Sequence, residues 1–364
     1  LGSRGLGDVY KRQKKNRVLI IDPASYSING ASRGHYLAVA NNLYNVLKKT
    51  FDVKIVGGSI YKSKFENDFI LLKHNASNGY NTMRNKIYIL LNIRQLFKLI
   101  NGDTIIWQSS SVVTSYIGIW LFGSRNCKLF MIQYNTKSIS SFGTRLLYKM
   151  VKHKISGVIC TLDKIGQAYA LPFCVIPDYI YNNEEKTREI IPYTEREYDF
   201  CMVGIICDDK GVVEVAEKMR NTNFKVIIAG KPETVQIADK LHEICDKSHN
   251  ISMKLEYISD EEYDYYIRNS RYCILNYKAA YSEHTSGVVY DVLFRGTPII
   301  GSNCKTFYFV EKYKVGNILK TLELWNPDDV LNPILYNEYL ENIKSYYLVH
   351  KKYAQKLCEF INNF

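Results

Sequence analysis

Residues 198–230 read YDFCMVGIICDDKGVVEVAEKMRNTNFKVIIAG, and this stretch decides the fold. Residues 198–203 are a β-favouring apolar run, 211–219 space their apolar positions as a helix does, and 224–229 form a second β-favouring run that stops at Gly230. A strand, a glycine-bounded loop, a helix and a second strand make the unit from which parallel sheets are built. The alternation continues toward the C-terminus, with strands expected at 253–257, 272–276 and 298–301 and helices at 260–268 and 286–294.

The other half of the chain repeats the pattern. Residues 14–22 (KKNRVLIID) hold four consecutive apolar β-formers, Val18 to Ile21, a signature of a buried parallel strand. A glycine-containing loop over 23–34 (PASYSINGASRG) leads to helical spacing over 35–49 and a strand over 51–56. Residues 87–91, 104–107, 129–132 and 157–161 are read as further strands, and 144–152 as a helix. Around 177–198 asparagine, proline and charged residues interrupt the apolar pattern as a linker does. The expected organisation is a Rossmann-like domain over 14–180, a linker over 181–197, a second Rossmann-like domain over 198–333 and closing helices over 334–364.

Composition bounds the function. The chain has 364 residues, 46% of them hydrophobic and 23% charged, with a net charge of +12 and nine cysteines. That is ample for two cored domains and excludes disordered, collagenous and disulfide-scaffold classes. The cysteines show no CxxC pair and no metal-ligand spacing, as expected of free thiols in a reducing compartment. No apolar run approaches ~18 residues, so an integral membrane protein is not expected and the expected location is cytoplasmic. The thirty tyrosines accompany abundant Lys, Asn and Ile, as AT-rich coding sequence gives, and no nucleic-acid motif accompanies them. Nucleic acid is not an expected partner.

The charge is a composite. Residues 1–13 (LGSRGLGDVYKRQ) lack apolar periodicity, and 8–13 resemble the translation of a sequencing-library transposon adapter, so the segment is set aside as a non-native extension carrying +2. Residues 14–180 carry +15 and 181–364 carry −5. Such asymmetry suggests an anionic partner for the first half, either an anionic ligand or the inner face of the plasma membrane. Lys137, Arg145, Lys149, Lys152 and Lys154 line the helix expected there; the plain alternative is a solvated basic face.

Three places can carry chemistry. Thr285, Ser286 and Gly287 precede an apolar helical run, so their amides are unpaired donors at a helix N-terminus with room for an anion. Glu283 lies just outside that terminus and Asp291 just over a turn inside, placed to flank a ligand and accept hydrogen bonds from sugar hydroxyls. The plain alternative makes Ser286 an N-cap and Glu283 a favourable charge near the dipole. The loop 204–211 (GIICDDKG) lies at the carboxyl end of a strand, where Lys210 can reach a phosphate oxygen, or be merely solvated beside Asp208 and Asp209. In the loop 27–35, Gly30 and Gly34 permit close backbone approach, and Arg33, ahead of His35 and the helix, adds positive potential. No GxGxxG fingerprint and no P-loop occur, which argues against a dehydrogenase and an NTPase.

These landmarks carry a resemblance. In order they are GIICDDKG at 204–211, IAGKP at 228–232, YISDEE at 257–262, SEHTSGVVYD at 282–291 and RGTPIIGS at 295–302. Together, over about 198–316, they resemble the C-terminal domain of family-4-type (group 1) retaining glycosyltransferases of bacterial surface-polysaccharide type. The resemblance implies an α/β protein of GT-B fold, two Rossmann-like α/β/α domains facing across a cleft, the first binding acceptor and the second a nucleotide diphosphate sugar.

The family's pair of carboxylates with seven residues between them matches Glu283 and Asp291, implying Glu283 near the donor sugar and Asp291 on the ribose. Lys210 matches the diphosphate lysine and a catalytic partner to Glu283, while Gly204, Thr285, Ser286, Gly287 and Val288 fall in the donor-binding segments. Gly30, Arg33, Gly34 and His35 fit the acceptor-side loop loosely. Two positions depart from the pattern: Ile205 stands where an arginine is usual, and Gln133-Tyr134-Asn135 replaces a segment that often holds a histidine. The resemblance implies no cofactor and no metal, with the nucleotide diphosphate sugar as co-substrate and a glycan or lipid-linked acceptor. Two rival readings are a nucleotide-sugar epimerase of the same fold and a catalytically silent glycan- or partner-binding protein.

Overall fold

The computed structural model describes residues 16–26, 36–77, 81–108, 113–180, 190–279 and 286–364. The chain divides into two compact units, Leu1–Ile180 with Ala354–Phe364, and Tyr181–Tyr353.

The first unit is built on strands β1 (Arg17–Asp22), β2 (Asp52–Gly57), β3 (Phe69–Leu71), β4 (Thr104–Trp107), β5 (Lys128–Gln133), β6 (Gly157–Cys160) and β7 (Phe173–Val175). They pair in the order β3-β2-β1-β4-β5-β6-β7, every described pair parallel. Val18 to Ile21 are wholly buried, the continuous apolar run that a sheet covered on both faces requires. The helices are α1 (Tyr36–Leu47), α2 (Met83–Leu99), α3 (Val113–Phe122), α4 (Phe142–Val151) and α5 (Asp163–Tyr169).

One expected strand is corrected. Residues 87–91 lie inside α2, because Asn85, Ile89, Asn92, Ile93 and Leu96 are its buried positions, a helical period that overrides the local β propensity of Ile and Tyr. Thr82 caps this helix by accepting from the Asn85 amide.

The second unit repeats the plan with β8 (Tyr198–Val203), β9 (Val226–Ala229), β10 (Ile251–Lys254), β11 (Ser270–Leu275), β12 (Ile299–Ser302) and β13 (Gly316–Leu319), all parallel, in the order β10-β9-β8-β11-β12-β13. Its helices are α6 (Val212–Met219), α7 (Val235–Asp246), α8 (Asp260–Arg268), α9 (Gly287–Phe294) and α10 (Tyr308–Tyr313). The strand expected at 253–257 ends instead at Lys254, and α8 begins after Ser259, whose hydroxyl and Glu262 form a capping box. A single helix, α11 (Pro333–Asn362), closes the chain, and its last residues group with the first unit.

In both sheets the strand order runs outward in one direction from the first strand and reverses at the fourth, the doubly wound arrangement that opens a crevice at the carboxyl ends of those two strands. In the second unit that switch point lies between β8 and β11.

Candidate functional site

The switch point of the second unit is shaped by glycine. Gly230, at the end of β9, has φ +149°, and a Cβ there would sit 1.8 Å from the carbonyl oxygen of Gly204. Only glycine lets the two turns press together, and the Gly204 amide then donates to the Ala229 carbonyl at 3.0 Å. Gly211, with φ +58°, turns the chain into α6 against Asn276, just past β11.

This packing brings several expected residues together. A Cβ on Gly204 would lie 3.5 Å from Val288 Cγ2 and 3.9 Å from Lys210 Nζ, so the β8–α6 turn meets the first turn of α9. The Lys210 ammonium stands 5.8 Å over the Tyr277 ring. Burial is the main force holding its pKa below the ordinary lysine value, partly offset by the Cys207 and Cys273 thiols. No carboxylate among the described residues pairs with it, whereas neighbouring Lys278 takes both Asp208 and Glu214 at 2.8 Å. Lys210 is therefore a half-buried cation without a carboxylate partner among the described residues, and Asp208 is a solvated ion-pair partner of Lys278.

Ser286 is buried, but its hydroxyl does not cap α9. It pairs with the Tyr277 hydroxyl at 2.8 Å, leaving the amides of the first turn of α9 without a side-chain acceptor among the described residues. Gly287 is exposed, and a Cβ there would meet nothing within 4 Å. Ser286 thus occupies the N-cap position of α9 without its hydroxyl capping the helix. Tyr277 is the residue that sequence reasoning missed: its ring lies under the lysine and its hydroxyl holds the serine. Its backbone carbonyl accepts from Ser302 Oγ at 2.6 Å and its ring packs 5.1 Å from Phe307. The one available signal was its position two residues beyond an apolar strand, at the carboxyl edge.

Asp291 lies in α9, one turn past Gly287. Its carboxylate is 3.7 Å from Arg295 Nη1 and accepts from the Tyr263 hydroxyl at 3.4 Å, while Arg295 also pairs with Asp264 at 2.9 Å. These contacts tie it to α8. Ile205 is 65% exposed beside Gly204, presenting an apolar side chain where the resemblance expects a cation. Glu283 and Thr285 lie outside the described residues, as do Gly30, Arg33, Gly34 and His35.

The first unit has its own buried polar cluster at the β1–β4 switch point. Asp22 accepts from the Tyr61 hydroxyl at 3.0 Å and from the Ala24 amide at 3.2 Å, and Gln108 Nε2 donates to Tyr61 at 2.8 Å. Gln133, in the segment where a histidine is often found, accepts from the Tyr169 hydroxyl at 3.0 Å and serves the core. Among the described residues no group of three or more His, Cys, Asp or Glu side chains is placed to hold a metal, and no helix is long and apolar enough to cross a membrane. All nine cysteines are free thiols.

Two parallel sheets with this order, each flanked by helices, define the GT-B fold, and solved structures of that fold match along nearly the whole chain. AviGT4, a glycosyltransferase involved in avilamycin A biosynthesis, superposes with a TM-score of 0.65 over 95% of this chain and 97% of its own, at 12% identity. The Escherichia coli trehalose-6-phosphate structure bound with UDP-2-fluoro glucose matches with a TM-score of 0.67 over 96% and 99%, at 9% identity. WaaG, a glycosyltransferase involved in lipopolysaccharide biosynthesis, matches with a TM-score of 0.56 over 93% and 98%, at 12% identity. No family model matches the chain. No curated protein matches it in sequence.

Proposed function

We propose that this chain is a retaining glycosyltransferase of the family-4 type that moves a hexosyl group from a nucleotide diphosphate sugar to a glycan or lipid-linked acceptor, without a metal ion, in bacterial surface-polysaccharide synthesis. The observation that carries the proposal is Lys210, a half-buried ammonium without a described carboxylate, set at the switch point beside the open N-terminal turn of α9. A diphosphate is the anion that suits a point charge and a row of backbone amides together.

In this reading Lys210 and the amides of Ser286, Gly287 and Val288 hold the donor diphosphate. As the sugar–phosphate bond breaks, negative charge grows on the leaving oxygen, and these donors stabilise it without reorganising. The leaving phosphate takes the acceptor hydroxyl's proton on the same face, so no protein nucleophile is required. Glu283 orients the donor sugar and Asp291 the ribose. The acceptor is taken by the strongly basic first unit, with Gly30, Arg33, Gly34 and His35 in its acceptor-side loop, and the protein works in the cytoplasm at the inner face of the plasma membrane.

A second reading is favoured by Ile205 alone: an apolar side chain in place of the second cation suits a protein that binds donor or glycan without turning it over. An epimerase of the same fold would act without acceptor. A panel of nucleotide sugars, assayed by thermal shift and by hydrolysis with and without acceptor, separates the three. Stabilisation by one donor with acceptor-dependent release of nucleoside diphosphate supports the transferase. Binding without turnover supports the silent protein, and a new sugar nucleotide formed without acceptor supports the epimerase. No stabilisation by any donor, with Glu283→Ala also without effect, refutes the proposal.

A further inference from the structure

The first unit contains a long stretch of sequence in which exposed apolar side chains and cations accompany almost no acids. Between Asp68 and Asp163 the chain holds twelve Lys and Arg and a single acidic residue, Asp103. That one is consumed by Arg17, at 2.6 Å. The segment contains α2, α3 and α4. Helix α3 is wedged between the others: a Cβ on Gly118 would meet Ile93 of α2 at 2.5 Å, and the Tyr116 ring lies 5.8 Å from Tyr148 of α4.

Helix α4 turns Tyr148 and Val151 inward and leaves Phe142, Arg145, Leu146, Lys149 and Met150 exposed. At about 100° per residue these five fall within an arc of roughly 140°. Arg145 and Lys149 occupy one flank, Phe142 the middle, and Leu146 and Met150 the other. Phe142 is 85% exposed, at the N-terminal end of the helix. Just beyond α4, Lys154 donates to the carbonyls of Ile119 at 3.2 Å and Trp120 at 3.0 Å, tying the end of α3, with its exposed Trp120 and Leu121, to the end of α4. A soluble helix places its apolar stripe inward and a mixed-sign polar face outward. Here the outward face is itself apolar on one side and purely cationic on the other, the pattern of a helix that lies in a lipid–water interface.

We propose that α4, with Trp120 and Leu121 beside it, is a docking face for an anionic lipid bilayer, Phe142, Leu146 and Met150 entering the acyl boundary while Arg145 and Lys149 stay at the headgroups. Charge decides between occupants. A second copy of the chain paired through the same face would set one cationic surface against another, which repels, whereas anionic headgroups complement every charge on it and the hydrocarbon below takes the apolar flank. The inference gives the membrane side of the proposed function a definite element, but it rests on surface chemistry and stands or falls apart from transferase activity.

The test is co-sedimentation of the full chain with vesicles of phosphatidylcholine alone and of phosphatidylcholine mixed with phosphatidylglycerol, at low and high salt; each basic residue gains ~1 kcal/mol near an anionic surface. The expected result is binding to the anionic vesicles only, weakened by salt. Arg145→Glu with Lys149→Glu lowers the partition constant at least about 25-fold, from roughly fivefold per charge. Phe142→Ser with Leu146→Ser lowers it more than about tenfold, from the lost apolar burial. Arg145 also donates to the Ile139 and Ser140 carbonyls, so Lys149→Glu alone, expected to lower the partition constant about fivefold or more, is the charge variant whose melting temperature and any donor-induced thermal shift stay as in the parent, as they do for the exposed Phe142 and Leu146. Equal binding to neutral vesicles, no binding at low salt, or retention unchanged by both double variants overturns the proposal. So does a dimer in sedimentation that Phe142→Ser with Leu146→Ser dissolves.

Discussion

Replacing Lys210 with methionine keeps the volume of the stem and removes only the ammonium, and the site predicts opposite signs for two measurements. In the free protein the charge is held in a half-buried place without a described carboxylate, and its pKa is lowered chiefly by burial. A lysine whose folded pKa lies below its unfolded one weakens the fold where it is charged, and stability recovers as pH rises through the lowered folded value toward the ordinary one. Lys210→Met therefore leaves the ligand-free melting temperature at neutral pH unchanged or raised, and flattens its rise toward alkaline pH. Donor binding moves the other way. A charged hydrogen bond to phosphate contributes about 1.5–3 kcal/mol, so the dissociation constant for the nucleoside diphosphate rises roughly 10- to 100-fold. The assay is isothermal titration of the parent, Lys210→Met and Lys278→Met with the best nucleoside diphosphate, beside thermal melts without ligand. Lys278 lies in the same region but is neutralised by Asp208 and Glu214, so its variant serves as the control. Equal losses of affinity in both variants, or no loss in Lys210→Met, refute the assignment of the phosphate to Lys210.

Removing the hydroxyl of Tyr277 leaves the buried Ser286 Oγ without its 2.8 Å partner, so Tyr277→Phe lowers unfolding free energy by about 1 kcal/mol and weakens donor binding several-fold, read by urea denaturation and titration. Gly230→Ala drives a methyl group into the Gly204 carbonyl at φ +149° and costs at least about 2 kcal/mol, whereas Gly287→Ala enters open space and leaves stability intact while obstructing the amides of α9. Thermal melts of the two glycine variants, with and without donor, separate these effects. Asp68 is held below its ordinary pKa first by Lys54 and then by Tyr44, so its contribution is present above about pH 4 and disappears as pH falls through the lowered value. Asp68→Asn is accordingly less stable than the parent at neutral pH, and the two melting curves converge once the pH has fallen below the lowered value.

The parts of the molecule legible in sequence are those whose local chemistry agrees with their tertiary surroundings. The β8–α6–β9 unit, the Ser259-capped α8 and the buried run of β1 carry period, cap and glycine signals that all point one way. Residues 87–91 misled because isoleucine and tyrosine favour strands locally, while the helical period that fixes α2 shows only over its full length, from Asn85 to Leu96. The short edge strands β3, β7 and β13 have three or four residues each, too few to show any period. In the candidate site, Gly204, Lys210 and Val288 were found separately by position on loop and helix, but their meeting depends on the contact between Gly230 and Gly204. Tyr277 was invisible for a related reason: a tyrosine among thirty carries no mark of its own, and its role exists only once β11 places it between Lys210 and Ser286.

The free thiols give the protein a built-in chemical clock. Cys160 and Cys174 are buried in the first unit and Cys201, Cys245, Cys273 and Cys304 in the second. Burial pushes Cys160, Cys174 and Cys245 up to about 11, so little reactive thiolate exists while the fold is intact. Alkylation of each thiol thus reports the opening of the layer around it, and peptide mass spectrometry over a denaturant series yields separate unfolding curves for the two sheets from one unlabelled sample. Cys207 is partly exposed in the β8–α6 turn, three residues before Lys210, and labels without unfolding. Its rate, followed as nucleotide is added, measures occupancy of the turn in the same experiment that ranks the stability of the sheets beneath it.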